Sequence, residues 1–206
     1  SNRAPLLLSL LLLLAGCAST GMERSDHATT TMQTVENDIQ RIVVQLNATG
    51  QSLNDLVSPG QSDVKKAFDA FTANVEKIEK MEKSFSAHAD EMQARGKDYF
   101  AEWKKEGATY SNPEIQALSD QRRTELGTVY GRIAGNSVGV KTAFRTYVSD
   151  VHEIRTYLST DLTSKGIDAI AEVSRKVVRD GEDLKFAIRN MQSAIETAKN
   201  EMAQTR

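Results

Sequence analysis

Residues 32–56 read MQTVENDIQRIVVQLNATGQSLNDL, and their periodicity decides the fold. Met32, Val35, Ile39, Ile42, Leu46, Thr49, Leu53 and Leu56 recur at alternating steps of three and four. Side chains three and four apart share one face of an α-helix, so the series is an apolar seam of the coiled-coil kind, with Thr49 its single polar member. Ser58-Pro59-Gly60 follows; Pro with Gly is turn chemistry and stops the helix.

The same steps continue outward from this stretch. A second helix carries Val64, Phe68, Phe71, Val75, Ile78, Met81, Phe85, Ala89, Met92, Gly96, Tyr99 and Trp103, with a local phase shift where two steps of three adjoin at 75–78–81. It ends near Gly107. Asn112-Pro113 opens a third helix with a capping side chain and a proline suited to the first turn. Its seam runs Ile115, Leu118, Arg122, Leu126, Val129, Ile133, Ser137, Val140, Phe144, Tyr147, Val151, Ile154 and Leu158. A fourth follows the break at Thr163–Gly166, through Ile167, Ile170, Ser174, Val177, Gly181, Leu184, Ile188, Met191, Ile195, Ala198 and Met202. No stretch alternates with a period of two, as a half-buried strand does. Connections of about five residues make successive helices antiparallel. The expected fold is all-α: an elongated antiparallel four-helix bundle with coiled-coil seams, one domain over residues 31–206.

Ahead of the bundle stands a different kind of sequence. Arg3 precedes Leu6-Leu7-Leu8-Ser9-Leu10-Leu11-Leu12-Leu13-Leu14, a positive start and a short leucine-rich run. That is the pattern of a secretory leader, too short for the about 20 apolar residues that span a bilayer. Leu14-Ala15-Gly16-Cys17 then resembles the bacterial lipobox, and Cys17 is the only cysteine of the chain. The expectation is a signal peptide over 1–16, acylation of Cys17, and a polar tether over 17–30. By resemblance to Gram-negative lipoproteins, Ala18 and Ser19 lack the Asp that retains such proteins in the inner membrane, which points to the periplasmic face of the outer membrane.

Folding the helices about their turns shows which residues lie level. Helix one then starts opposite residue 91 and helix four ends opposite 123, so residues 92–122 form a protruding two-helix tip. This tip carries Tyr99, Phe100, Trp103 and Tyr110, read either as aromatic glue or as a docking site. Gly127, Gly131, Gly135 and Gly139 recur every four residues and come level with Met92, Ala89, Phe85 and Met81. Each costs about 1 kcal/mol against Ala within a helix. Close packing against helix two is the offset expected of them, and a hinge is the alternative.

Chemistry is harder to find. With 26 Lys+Arg against 28 Asp+Glu, the chain lacks the positive excess that nucleic acid demands. A single Cys allows no internal disulfide and no cysteine-based zinc site. Gly139-Val140-Lys141-Thr142 puts Val where a phosphate loop needs Gly-Lys, and His152-Glu153 lacks the second His of a zinc protease helix. No catalytic residue, metal or cofactor is assigned.

One set of residues has a wider likeness. Phe100, Trp103, Glu106 and Tyr110-Ser111-Asn112, then Leu118-Ser119, Arg122, Tyr147-Val148-Ser149-Asp150-Val151, Leu158 and Leu162, resemble the bacterial family labelled domain of unknown function 2959. The likeness covers about residues 20–200. It departs at the glycine ladder, where the family carries charged and larger residues, and is weaker over helix one. It implies secreted or lipid-anchored coiled-coil proteins with no established activity. The functional expectation is a non-enzymatic scaffold or adaptor of the cell envelope, bound to the membrane through Cys17 and to an envelope protein. A periplasmic holdase-like chaperone is the alternative, and a homo-oligomer through the helix-one seam a third reading.

Overall fold

The computed structural model describes residues 20–203, so the expected signal peptide over 1–16 and Cys17 lie outside the described residues. The described chain is four helices: α1 (Gly21–Val57), α2 (Val64–Gly107), α3 (Pro113–Thr160) and α4 (Ser164–Met202). They form a ring in which α1 touches α2 and α4, and α3 touches α2 and α4. Neighbours run antiparallel. Asp38 of α1 meets His88 of α2, Asp90 of α2 meets Lys141 of α3, and Lys199 of α4 meets Glu36 of α1. With 48 residues, α3 is a rod of about 72 Å.

The seam of α1 is buried at every position from Met32 to Leu56. Thr49, fully buried, keeps its hydroxyl satisfied by donating to the Gln45 carbonyl at 2.8 Å. Since α2 and α4 cover this seam, it is not available for self-assembly in the closed bundle.

Within the covered part of the bundle two inner places differ from the sequence reading, and polarity misleads at one of them; at the start of α3 the expected seam positions Ile115, Leu118 and Arg122 are exposed. In α2 the buried line runs Phe71, Val75, Ile78, Glu82, Phe85, Ala89, Met92, Gly96. Glu82 holds the inner place expected of Met81, and the phase shift disappears. Its carboxylate accepts from Ser86 at 3.0 Å and lies 3.9 Å from Arg145 of α3. In α3 the buried line runs Leu126, Tyr130, Ile133, Ser137, Val140, so Tyr130 replaces Val129.

The first helix starts earlier than expected. α1 begins at Gly21, and Thr20 and Glu23 close a reciprocal capping box. Residues 21–30 are therefore helix. Small Ser25 and Ala28 occupy its inner positions, which large apolar residues mark elsewhere. The added helix covers α2 as far as Glu106, which pairs with Arg24. At the other side Arg122 reaches the Glu201 carboxylate at 3.3 Å. The end of the rod is thus three helices, with only the first two to three turns of α3 extending past α4.

The glycine ladder does not pack against α2. A Cβ on Gly131, Gly135 or Gly139 meets nothing within 4 Å, and on Gly127 only the Phe100 ring at 4.0 Å. Folding arithmetic gives the level of a residue but not its face. Gly135 stands two residues after buried Ile133, about 200° round the helix. It lines an open groove of about 460 Å³ between α3 and α4, beside Arg132, Asn136 and Asn190. Close approach belongs instead to Gly96, where a Cβ would lie 2.1 Å from the Tyr130 ring, and to Gly181, 2.9 Å from that of Tyr147.

Candidate functional site: the aromatic tip

α2 and α3 meet across the turn at residues 108–112. Asn112 caps α3, its side chain accepting from the backbone N–H of Glu114 at 2.9 Å and Ile115 at 3.3 Å. Lys104 and Lys105 occupy the last turn of α2, where cations suit the negative end of the helix dipole. Gly107 lets Ser119 come close: a Cβ there would sit 3.2 Å from its hydroxyl oxygen. That same hydroxyl accepts the Trp103 indole N–H at 2.9 Å. The sole tryptophan is therefore a polar tie across the hairpin, with its N–H satisfied where burial would otherwise make it costly.

From Trp103 a string of edge-to-face rings runs into the bundle. Ring centroids lie 5.7 Å apart for Trp103–Tyr99, 5.1 Å for Tyr99–Phe100 and 5.7 Å for Phe100–Tyr130. Such pairs add about 0.5–1.5 kcal/mol each beyond the area they bury. Burial pushes the Tyr99 phenol up, while a hydrogen bond with the Ser25 side chain of α1 pulls it back. The string ends in the Gly96 socket, where Tyr130 donates its hydroxyl to the Met92 carbonyl at 2.5 Å. Burial raises this phenol far above its ordinary value. Tyr130 is invisible to seam counting. A glycine on the inner line of α2 is the available signal, because a gap on one helix calls for a large ring on its neighbour.

Of the four tip residues expected to act together, Tyr99, Phe100 and Trp103 are thus half-buried mortar between α1, α2 and α3. Tyr110 stands apart in the turn, 44% exposed. Around it the rod shows an apolar surface that seam counting places inside. Ile115 is 48% and Leu118 66% exposed, on the part of α3 beyond Met202. Met22, in the first turn of α1, is 60% exposed.

Two of the three histidines, His88 and His152, tie helices. His88 Nδ1 lies 2.6 Å from Asp38, whose other oxygen accepts from Arg41 at 2.7 Å. His152 Nδ1 lies 2.6 Å from Glu79, which also pairs with Arg155 at 3.5 Å. Among the described residues, no three His, Cys, Asp or Glu side chains gather as a metal site requires, and no helix is long and apolar enough to cross a membrane.

The model of the family described as "Protein of unknown function (DUF2959)" matches residues 16–205. The chain belongs to the DUF2959 family. The match takes in all four helices, the aromatic tip and Cys17. No curated protein and no solved structure matches this family member.

Proposed function

We propose that this DUF2959 protein is a non-enzymatic, lipid-anchored rod of the bacterial cell envelope. It is held at the periplasmic face of the outer membrane by acyl chains on Cys17 and acts as a scaffold or adaptor for another envelope protein. The observation that carries this reading is Leu14-Ala15-Gly16-Cys17 placed three residues before Thr20, the cap of α1. Three extended residues span about 10 Å at most, so the anchor joins the rod almost directly. The turns at residues 58–63 and 161–163 then stand at the far end, about 55–60 Å along α1 and α4. A rod so anchored presents surface at a set height, which is what a spacer or adaptor needs. Interior charges support a mechanical role, because Asp38, Glu82 and Glu36 are each drawn into ties with a neighbouring helix.

Fractionation of the envelope tests the anchor. The parent protein is expected in the outer-membrane fraction, with acyl mass on a mature N-terminal Cys17. The Cys17→Ser protein is expected to leave that fraction or to keep its leader. Unchanged fractionation of this variant refutes the lipoprotein reading. Suppressed aggregation of an unfolded outer-membrane protein would replace the scaffold role with a chaperone one.

A further inference from the structure

The exposed apolar side chains of the tip have a specific position. Nine large hydrophobic residues are exposed along the described chain, and four of them, Met22, Tyr110, Ile115 and Leu118, fall on this one end. Ile115 and Leu118 continue the inner line of α3 past the end of α4, so no helix of the chain covers them. Met22 lies one turn before buried Ser25 on α1 and continues that helix's inner line in the same way. The end that carries them is also the end where the chain leaves the structure, at Thr20.

We infer that this apolar end is a membrane-contact surface: Met22, Tyr110, Ile115 and Leu118 seat in the headgroup layer of the bilayer that holds the anchor. The inference rests on the lipid-anchored reading, which supplies the occupant. With Cys17 in the bilayer and Thr20 at most about 10 Å away, the first turn of α1 cannot leave the surface. Interfacial apolar groups sink about 5–10 Å into the headgroup and acyl boundary, so the same depth is within reach of these side chains. Tyr110 suits that layer, because a phenol keeps its ring in the apolar zone and its hydroxyl wet. Lys104 of the adjoining turn is an exposed cation of the kind that anionic headgroups attract, while Lys105 is paired with Glu102 at 2.6 Å. The contact fixes how the rod stands, which a flexible anchor alone does not.

Trp103 is a built-in probe, being the only tryptophan and four residues from the end of α2, about 6 Å of helix. The purified mature protein is placed in vesicles of phosphatidylethanolamine and phosphatidylglycerol, with or without brominated acyl chains. Brominated lipid is expected to quench Trp103 strongly in the parent. Most of that quenching is expected to vanish in Ile115→Glu/Leu118→Glu and in the milder Met22→Ser/Leu118→Ser. It should persist in Phe186→Glu, which alters an equally exposed residue on the side of α4. Circular dichroism and melting verify that each variant is folded. Equal quenching in parent and tip variants overturns the contact. So does absence of quenching in a parent whose mass shows acyl chains, and either result leaves the anchor reading intact. If the mass shows no acyl group on Cys17, the anchor reading fails by itself. Flotation of the unacylated chain with the same vesicles then decides the tip: no flotation overturns the contact, and flotation lost in the Glu variants sustains it.

Discussion

Gly96 and Gly135 are both helical glycines, and they have opposite surroundings. Gly96 faces inward from α2, and the ring of Tyr130 fills the space its missing side chain leaves. Gly135 faces outward from α3 into an open groove. Spacing alone ranks them the wrong way round, since four glycines in step look more deliberate than one. What separates them is phase against the buried line. A helical glycine is structurally required only where its Cα points at a neighbour, and the neighbour can be named.

Gly96→Ala should be by far the more damaging of the two alanine substitutions. A methyl group 2.1 Å from the Tyr130 ring forces the ring out or the helices apart. Displacing Tyr130 also breaks its bond to the Met92 carbonyl and the contact with Phe100. Overpacking and an unsatisfied buried hydroxyl together should cost about 3–5 kcal/mol. For a chain of this size each kcal/mol lowers the melting temperature by about 2–4 °C. Partial recovery in the double variant Gly96→Ala/Tyr130→Phe would confirm the socket. A melting temperature equal to the parent's would exclude it.

Alkaline pH probes the same sockets. Tyr130 and Tyr147 both have phenols raised by burial, and Glu182 adds to the shift of Tyr147. A raised folded value means that the unfolded chain releases these protons first. Their contribution is therefore whole below pH 10 and declines above it. The slope approaches about 1.4 kcal/mol per pH unit for each tyrosine until its folded form ionises. Denaturant titrations between pH 9 and 11.5 should show the decline. Tyr147→Phe should flatten it, and an unchanged slope in that variant would mean that Tyr147 ionises freely in the fold.

Where the sequence succeeds and fails follows the same physics. The helices, their turns and most inner positions are legible because apolar periodicity and Pro-Gly chemistry are local. Glu82 is hidden because its burial depends on Ser86 and on Arg145 of another helix. Residues 21–30 are hidden because the inner positions there hold small Ser25 and Ala28, so no large apolar residue marks the seam. The tip is half legible: its aromatic residues are visible, but not that Trp103 turns inward to Ser119 while Leu118 stays outside. That division needs the length of α4 relative to α3, which no single segment contains.

Gly181 sits between the two extremes. A Cβ there would lie 2.9 Å from one edge atom of Tyr147 and 3.5 Å or more from the next. Tyr147 is only 2% exposed, so its ring can shift by a few tenths of an ångström and no further. Alanine also gains about 1 kcal/mol of helix propensity, which offsets part of the strain. Gly181→Ala should lower stability by about 1 kcal/mol, well short of the Gly96 variant. A loss as large as that of Gly96→Ala would show that rigidity of the bundle, rather than the depth of the overlap, sets the cost.

The ladder should respond with the opposite sign. Gly135 and Gly139 are exposed, in regular helix and without a positive φ, and a methyl group on either would meet nothing within 4 Å. Alanine there restricts the unfolded chain and shields the helix backbone, while no contact is lost. Each substitution should raise stability by about 0.5–1 kcal/mol. The sites are one helical turn apart and share no partner, so the double variant should gain close to the sum. Thermal unfolding of Gly135→Ala, Gly139→Ala and the pair measures this directly. A loss in either single variant would mean that α3 needs its flexibility or bends there, and the hinge would become the better account of the ladder. A gain in all three leaves the ladder glycines without a role in holding the bundle together, and leaves close helix approach to Gly96, Gly107 and Gly181.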